Sequence, residues 1–140
     1  IDGAIKNDVT AKLIHVRSSN LTDIATEVLD AAAIAFGSAT LNMGMMPEMG
    51  ALLTYLKGLR PTGKAACAFG SYGWGKGGAE DLDAWIRTMK FDVFREPLKA
   101  QWKPTPEMLQ ECFSLGCTLA EHAKQYTLAS AEHKTSAYTS

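Results

Sequence analysis

Two short runs constrain this chain more than anything else in it. Residues 31–37 (Ala-Ala-Ala-Ile-Ala-Phe-Gly) and 64–70 (Lys-Ala-Ala-Cys-Ala-Phe-Gly) are built from small apolar residues, and both are followed by serine. Alanine alone would favour a helix, but each run is too short for one. Unbroken apolarity over seven residues predicts a strand buried on both faces, with small side chains that let helices approach closely. Between the two runs Pro47 opens a helix, Glu48 sits near its positive end, and Met49, Leu52, Leu53 and Leu56 form one apolar face. Gly58 and Pro61 mark its stop. The runs are therefore offset by one strand–helix unit, which predicts parallel neighbours joined by a right-handed crossover.

The rest of the chain continues this alternation. Residues 10–16 are β-branched enough to predict a strand. Ser18, Ser19 and Asn20 then offer caps to a helix with Leu21, Ile24, Ala25 and Val28 on one face, ending near Asp30. A further helix carries Glu80, Asp81 and Asp83 in its first turn and Leu82, Trp85, Ile86 and Met89 on its apolar face. Residues 91–94 and 98–102 are weaker strand candidates. A last helix starts at Thr105-Pro106-Glu107 and runs through Leu109, Cys112, Leu115, Leu119 and Ala123, and the Ser/Thr/Ala-rich residues 127–140 read as a flexible tail. The sum is an α/β domain with a parallel sheet.

Composition narrows the function. With 140 residues the chain is long enough for one core, and 14 basic against 15 acidic residues leave a net charge of -1. That balance argues against a dedicated nucleic-acid binder. No apolar run approaches a membrane span and no segment reads as a signal peptide. Three cysteines without a CxxC pair argue against a disulfide framework or a zinc site and fit a reducing, cytoplasmic setting.

The two runs deliver two loops to the carboxyl end of adjacent strands, where open α/β sheets bind ligands. The first, residues 38–47, combines hydroxyls, Asn42, Gly44 and three methionines. The second, residues 71–78, has four glycines that free its backbone to approach a ligand, beside the flat surfaces of Tyr72 and Trp74. A planar heteroaromatic ring needs that pairing of aromatic faces with backbone donors and acceptors. His15, His122 and His133 are scattered, no GxSxG or P-loop motif occurs, and no base accompanies Ser38 or Ser71. Such a site suits a cofactor that carries its own redox chemistry. Blander roles cover other residues. Met43, Met45, Met46 and Met49 read as core or loop filling, and Cys67, Cys112 and Cys117 as structural. Glu80, Asp81 and Asp83 serve a helix dipole or form an acidic rim for a partner, and His15 is partly buried.

Three segments carry a resemblance. Gly37-Ser38-Ala39-Thr40-Leu41-Asn42-Met43-Gly44-Met45-Met46-Pro47, Leu53-Thr54-Tyr55-Leu56-Lys57-Gly58-Leu59-Arg60-Pro61 and Ala68-Phe69-Gly70-Ser71-Tyr72-Gly73-Trp74 resemble the C-terminal flavodoxin-like domain of flavodiiron proteins (A-type flavoproteins). The likeness runs from about Thr10 to Ala123, with Ala39 where the family usually has proline. It implies a flavodoxin-like three-layer sandwich over residues 1–126 that wraps FMN. The cofactor-binding residues would be Ser38, Thr40, Leu41, Asn42, Gly44, Ser71, Tyr72, Gly73, Trp74 and Gly75. Lys76 reads as a solvated lysine or as a complement to the reduced flavin.

One departure from the family lies at the front. Nothing before Thr10 matches the first strand and Ser/Thr-rich phosphate loop of flavodoxin-like domains, and residues 1–8 read as the tail of the helix that follows them. The resemblance then implies weak or no FMN binding by this chain alone. It also implies two open sheet edges, at residues 10–16 and 31–37, that stay apart, close on each other or recruit another chain. The family's diiron domain, where O2 or NO is reduced, is also outside the resemblance. The implied function is electron transfer from a rubredoxin-like or flavin reductase donor to that diiron centre, in a homo-oligomeric oxidoreductase with no nucleic acid or membrane partner. Two other readings stay open: a flavoprotein resembling NAD(P)H:quinone oxidoreductases, and a remnant that has lost FMN.

Overall fold

The structure, a computed structural model, describes the backbone of residues 1–137 and the side chains of residues 1–129. Its centre is the pair of small-residue runs. Strand β1 (Ala33–Leu41) and strand β3 (Ala65–Tyr72) lie parallel, with Phe36 opposite Ala68 and Ser38 opposite Gly70. Helix α3 (Pro47–Leu59) makes the crossover between them. On its far edge β3 takes two short parallel partners, β4 (Asp92–Val93) at Ala65 and Ala66 and β5 (Leu98–Gln101) at residues 69–72. A two-residue strand β2 (Gly44–Met45) folds back antiparallel on Thr40 and Leu41.

The sheet separates two cores of unequal size. On one face α2 (Leu21–Asp30), α3 and α4 (Gly78–Thr88) pack Ile24, Val28, Met49, Leu52, Leu53, Leu56, Leu82 and Ile86 against Phe36, Ala66 and Ala68. On the other face Cys67, Leu98 and Leu115 form a much smaller cluster under α5 (Pro106–Ala137). Burial pushes the Cys67 thiol up to about 12, so this cysteine is a neutral, small core residue. Helix α5 is also tied down by polar and aromatic contacts. Arg95 pairs with Glu111 at 3.0 Å, Phe94 stacks on His122, and the Tyr126 hydroxyl donates to Asp92 at 2.6 Å. The hydrogen bond and burial push the Tyr126 hydroxyl up to about 12. A short helix, α1 (Asp2–Ile5), lies so close to α5 that a Cβ on Gly3 would strike the Phe113 carbonyl, and one on Gly116 would come within 3.1 Å of Ala4.

Several expectations need correcting. Residues 10–16 form no strand. They run without regular structure into a 3-10 turn at Val16–Ser18, with Ile14 and Val16 leaning on the core and Leu13 and His15 exposed. The question of how two open strands at 10–16 and 31–37 would meet therefore falls away. Strand β1 has no neighbour along residues 33–39 on the side away from β3, among the described residues. β3 is buried on both faces from Ala65 to Ala68, but β1 is not: Phe36 is buried while Ala35 is exposed. Helix α3 ends one residue before Arg60, which adopts the left-handed conformation that glycine usually supplies. Separately from these corrections, helix α5 continues past Ala123 to Ala137, so the backbone of residues 127–137 is helical. The side chains of residues 130–140, His133 among them, lie outside the described residues, as does the backbone of residues 138–140.

Candidate functional site

The first chemistry-bearing segment is not an open loop but a hairpin. Strand β1 continues to Leu41, Asn42 and Met43 turn with φ of 49° and 63°, and β2 returns. Two successive left-handed residues are the geometry of a two-residue hairpin turn that matches strand twist. Asparagine adopts it readily, methionine does not. Met43 is therefore held by its surroundings, and the second segment supplies them. Gly77 sits at φ 139°, so close beneath the turn that a Cβ there would strike the Met43 carbonyl. The Gly78 N–H donates to Thr40 Oγ1 at 3.1 Å, and the Asp81 carboxylate accepts from the Met45 N–H at 3.2 Å. The start of α4 thus clamps the hairpin.

The other side of the site is anchored by β5. The Trp102 N–H donates to the Tyr72 carbonyl at 2.8 Å, and Gln101 Nε2 donates to the Gly73 carbonyl at 3.2 Å. Beneath the loop Glu80 and Lys99 pair at 2.7 Å. Their hydrogen bond holds the Glu80 carboxyl below its usual range and lifts the Lys99 ammonium above its own. Lys76 lies over the Tyr72 ring, 5.3 Å from its centroid.

Hairpin and loop enclose an open cleft of about 470 Å³, within the usual range for small-molecule sites. Of the residues singled out from sequence, Thr40, Asn42, Ser71, Tyr72, Gly73, Trp74 and Gly75 line it. Ser38, Leu41 and Gly44 do not. Ser38 is buried and acts as a brace, its hydroxyl accepting the Met46 N–H at 2.9 Å and donating to the Ala39 carbonyl. Leu41 and Gly44 pair across the hairpin, and Gly44 lies against Asp81. Met43 is 74% exposed at the cleft, not core filling, whereas Met49 is buried and Met45 leans on the core. Asp81 and Glu80 do more than serve the helix dipole, and His15 is exposed. Trp102, which sequence reasoning placed only at the end of a weak strand, is a wall of the cleft. Its signal was faint, since only the pairing of β5 with β3 brings it there.

The cleft offers aromatic walls from Tyr72, Trp74 and Trp102 and a polar edge from two backbone segments, a donor set that fits the isoalloxazine of a flavin. The glycine at position 73 fits too: a Cβ there would come within 2.8 Å of the Trp102 ring and crowd the cleft floor.

Comparison with known proteins agrees with this geometry. The flavodoxin family matches residues 1–116. A nitric oxide reductase of Moorella thermoacetica is 38% identical over 121 residues, covering 86% of this chain and 30% of that protein. A rubredoxin-oxygen oxidoreductase of Megalodesulfovibrio gigas is 35% identical over 115 residues, covering 82% and 29%. Among solved structures, the flavodiiron protein from Giardia intestinalis superposes with a TM-score of 0.86 at 36% identity, covering 89% of this chain and 31% of that one. A flavodoxin from the domain Archaea gives 0.77 at 31% identity, covering 88% and 84%. This chain spans about 30% of the length of the flavodiiron-type relatives it matches.

Proposed function

This chain belongs to the flavodoxin family, in the form found in flavodiiron proteins, and from that premise we propose that it is an FMN-binding electron-transfer domain. The observation that carries the reading is the cleft where hairpin and glycine loop meet, walled by Tyr72, Trp74 and Trp102. FMN, when bound, supplies one- and two-electron transfer. The protein's own residues bind and orient the ring. The aromatic side chains take its apolar faces, and the backbone of Thr40, Asn42 and Met43 and of Gly73 to Gly75 meets its polar rim. Lys76, held over Tyr72, adds a positive charge at the cleft that favours an electron-rich ring.

The whole-protein activity follows from the relatives' names as a proposal. A diiron domain outside these residues would reduce NO or O2, and a rubredoxin-like or flavin reductase partner would supply the electrons. In the same proposal the complete protein is an oligomeric oxidoreductase. The three cysteines of this chain, Cys67, Cys112 and Cys117, are free thiols, which fits the proposed reducing, cytoplasmic setting. No helix among the described residues is long and apolar enough to cross a membrane.

Flavin titration tests the central claim. Following flavin fluorescence, we expect saturable quenching at sub-millimolar FMN, and riboflavin affinity within about tenfold of it, because the lined cleft receives the ring. No quenching by either flavin at about 1 mM would overturn the reading in favour of a fold that does without the cofactor.

A further inference from the structure

Trp74 presents a puzzle: it lines the cleft, yet it is 93% exposed on a glycine-flanked loop. A side chain so free would fluctuate among rotamers and make a poor wall for a ring. Among the described residues its aromatic stacking partner is Trp102, whose ring centroid lies 4.6 Å away at an interplanar angle of 88°, an edge-to-face pair. Trp102 is in turn unusually well determined. Its φ of 55° is left-handed, a strained state for an aromatic residue. Its N–H is fixed on the Tyr72 carbonyl, and the preceding Gln101 side chain holds the Gly73 carbonyl. Its ring fills the space that a side chain at position 73 would take.

We propose that Trp102 is a positioning residue of the flavin cleft, which clamps the loop from Tyr72 to Gly75 and fixes the Trp74 ring edge-to-face so that it stands as a preformed wall. The proposal rests on the flavin reading above. Backbone and side chain divide the work. The amide of Trp102 sets the loop's height above β5, and the indole sets the orientation of Trp74. Preformation lowers the ordering cost that an exposed tryptophan would otherwise add to ring binding.

The pair has a signature independent of any ligand. Two indoles this close couple excitonically, and the third tryptophan, Trp85, lies on α4 against Lys57 rather than in the pair. The far-ultraviolet circular dichroism of the flavin-free protein should show an exciton couplet that disappears in both Trp102→Phe and Trp74→Phe while the helical signal stays. Riboflavin titration of the same proteins should show affinity about fivefold weaker in Trp102→Ala and largely recovered in Trp102→Phe. A wild-type spectrum without the couplet overturns the proposal, and so does unchanged riboflavin affinity in Trp102→Ala when the wild type binds. Failure of the wild-type protein itself to bind riboflavin or FMN overturns the flavin reading and with it this role for Trp102. The two failures are thereby distinguished.

Discussion

Gly77 is where two demands meet on one residue. Its φ of 139° is open to glycine, and a Cβ would strike the Met43 carbonyl at the tip of the hairpin. Gly77→Ala should therefore cost roughly 2 kcal/mol or more in urea unfolding, through backbone strain and displacement of the turn. The reverse holds at Met43, whose left-handed conformation costs an L-residue roughly 1 kcal/mol. Met43→Gly should raise stability by a similar amount in the same assay. A gain at Met43 paired with a loss at Gly77 identifies the hairpin tip as strained and clamped. Loss at both positions would argue that the Met43 side chain itself supports the fold.

At the scale of elements, hydrogen bonds at helix ends decide more than apolar patterning does. Lys64 is buried just before β3, and its ammonium donates to the Leu29 and Ala31 carbonyls at 2.7 and 2.6 Å, closing the C-terminus of α2. Burial draws its pKa down, with Asp30 pulling the other way. Lys64→Met keeps the apolar stem and removes the donor, and should cost roughly 1–3 kcal/mol in denaturant titration because the carbonyls lose their partner. Elements that express a local code were legible in sequence: the Asn20 cap of α2, whose side chain accepts from the Thr22 N–H, the Pro47 start of α3 and the Thr105 start of α5. Residues 10–16 show the limit. β-Branched composition prepares a strand, but pairing makes one, and Ile14 and Val16 found a helix-covered core rather than a hydrogen-bonded neighbour. The candidate site divides the same way. The glycine loop announced itself, whereas the wall at Trp102 depends on the pairing of β5 with β3 and the brace at Ser38 on the return of the hairpin.

Across the whole molecule the sheet is asymmetric. β1 meets β3 along residues 33–39, and among the described residues nothing pairs with its other edge there. A parallel strand directs alternate N–H groups to a given neighbour, so hydrogen exchange along residues 33–39 should alternate between protected and fast amides. Uniform protection would mean that another strand occupies the edge in solution.

The two cores also differ in depth, and this has a temporal meaning. Among the described residues, the cluster under α5 has three buried members, Cys67, Leu98 and Leu115, against fourteen in the core on the other face. Sub-global opening follows the thinner seam. α5 should leave and return many times before the α2–α3–α4 side loosens once. Each departure uncovers Cys67, so the rate at which that thiol can be trapped is a clock for one helix, running ahead of the unfolding of the whole.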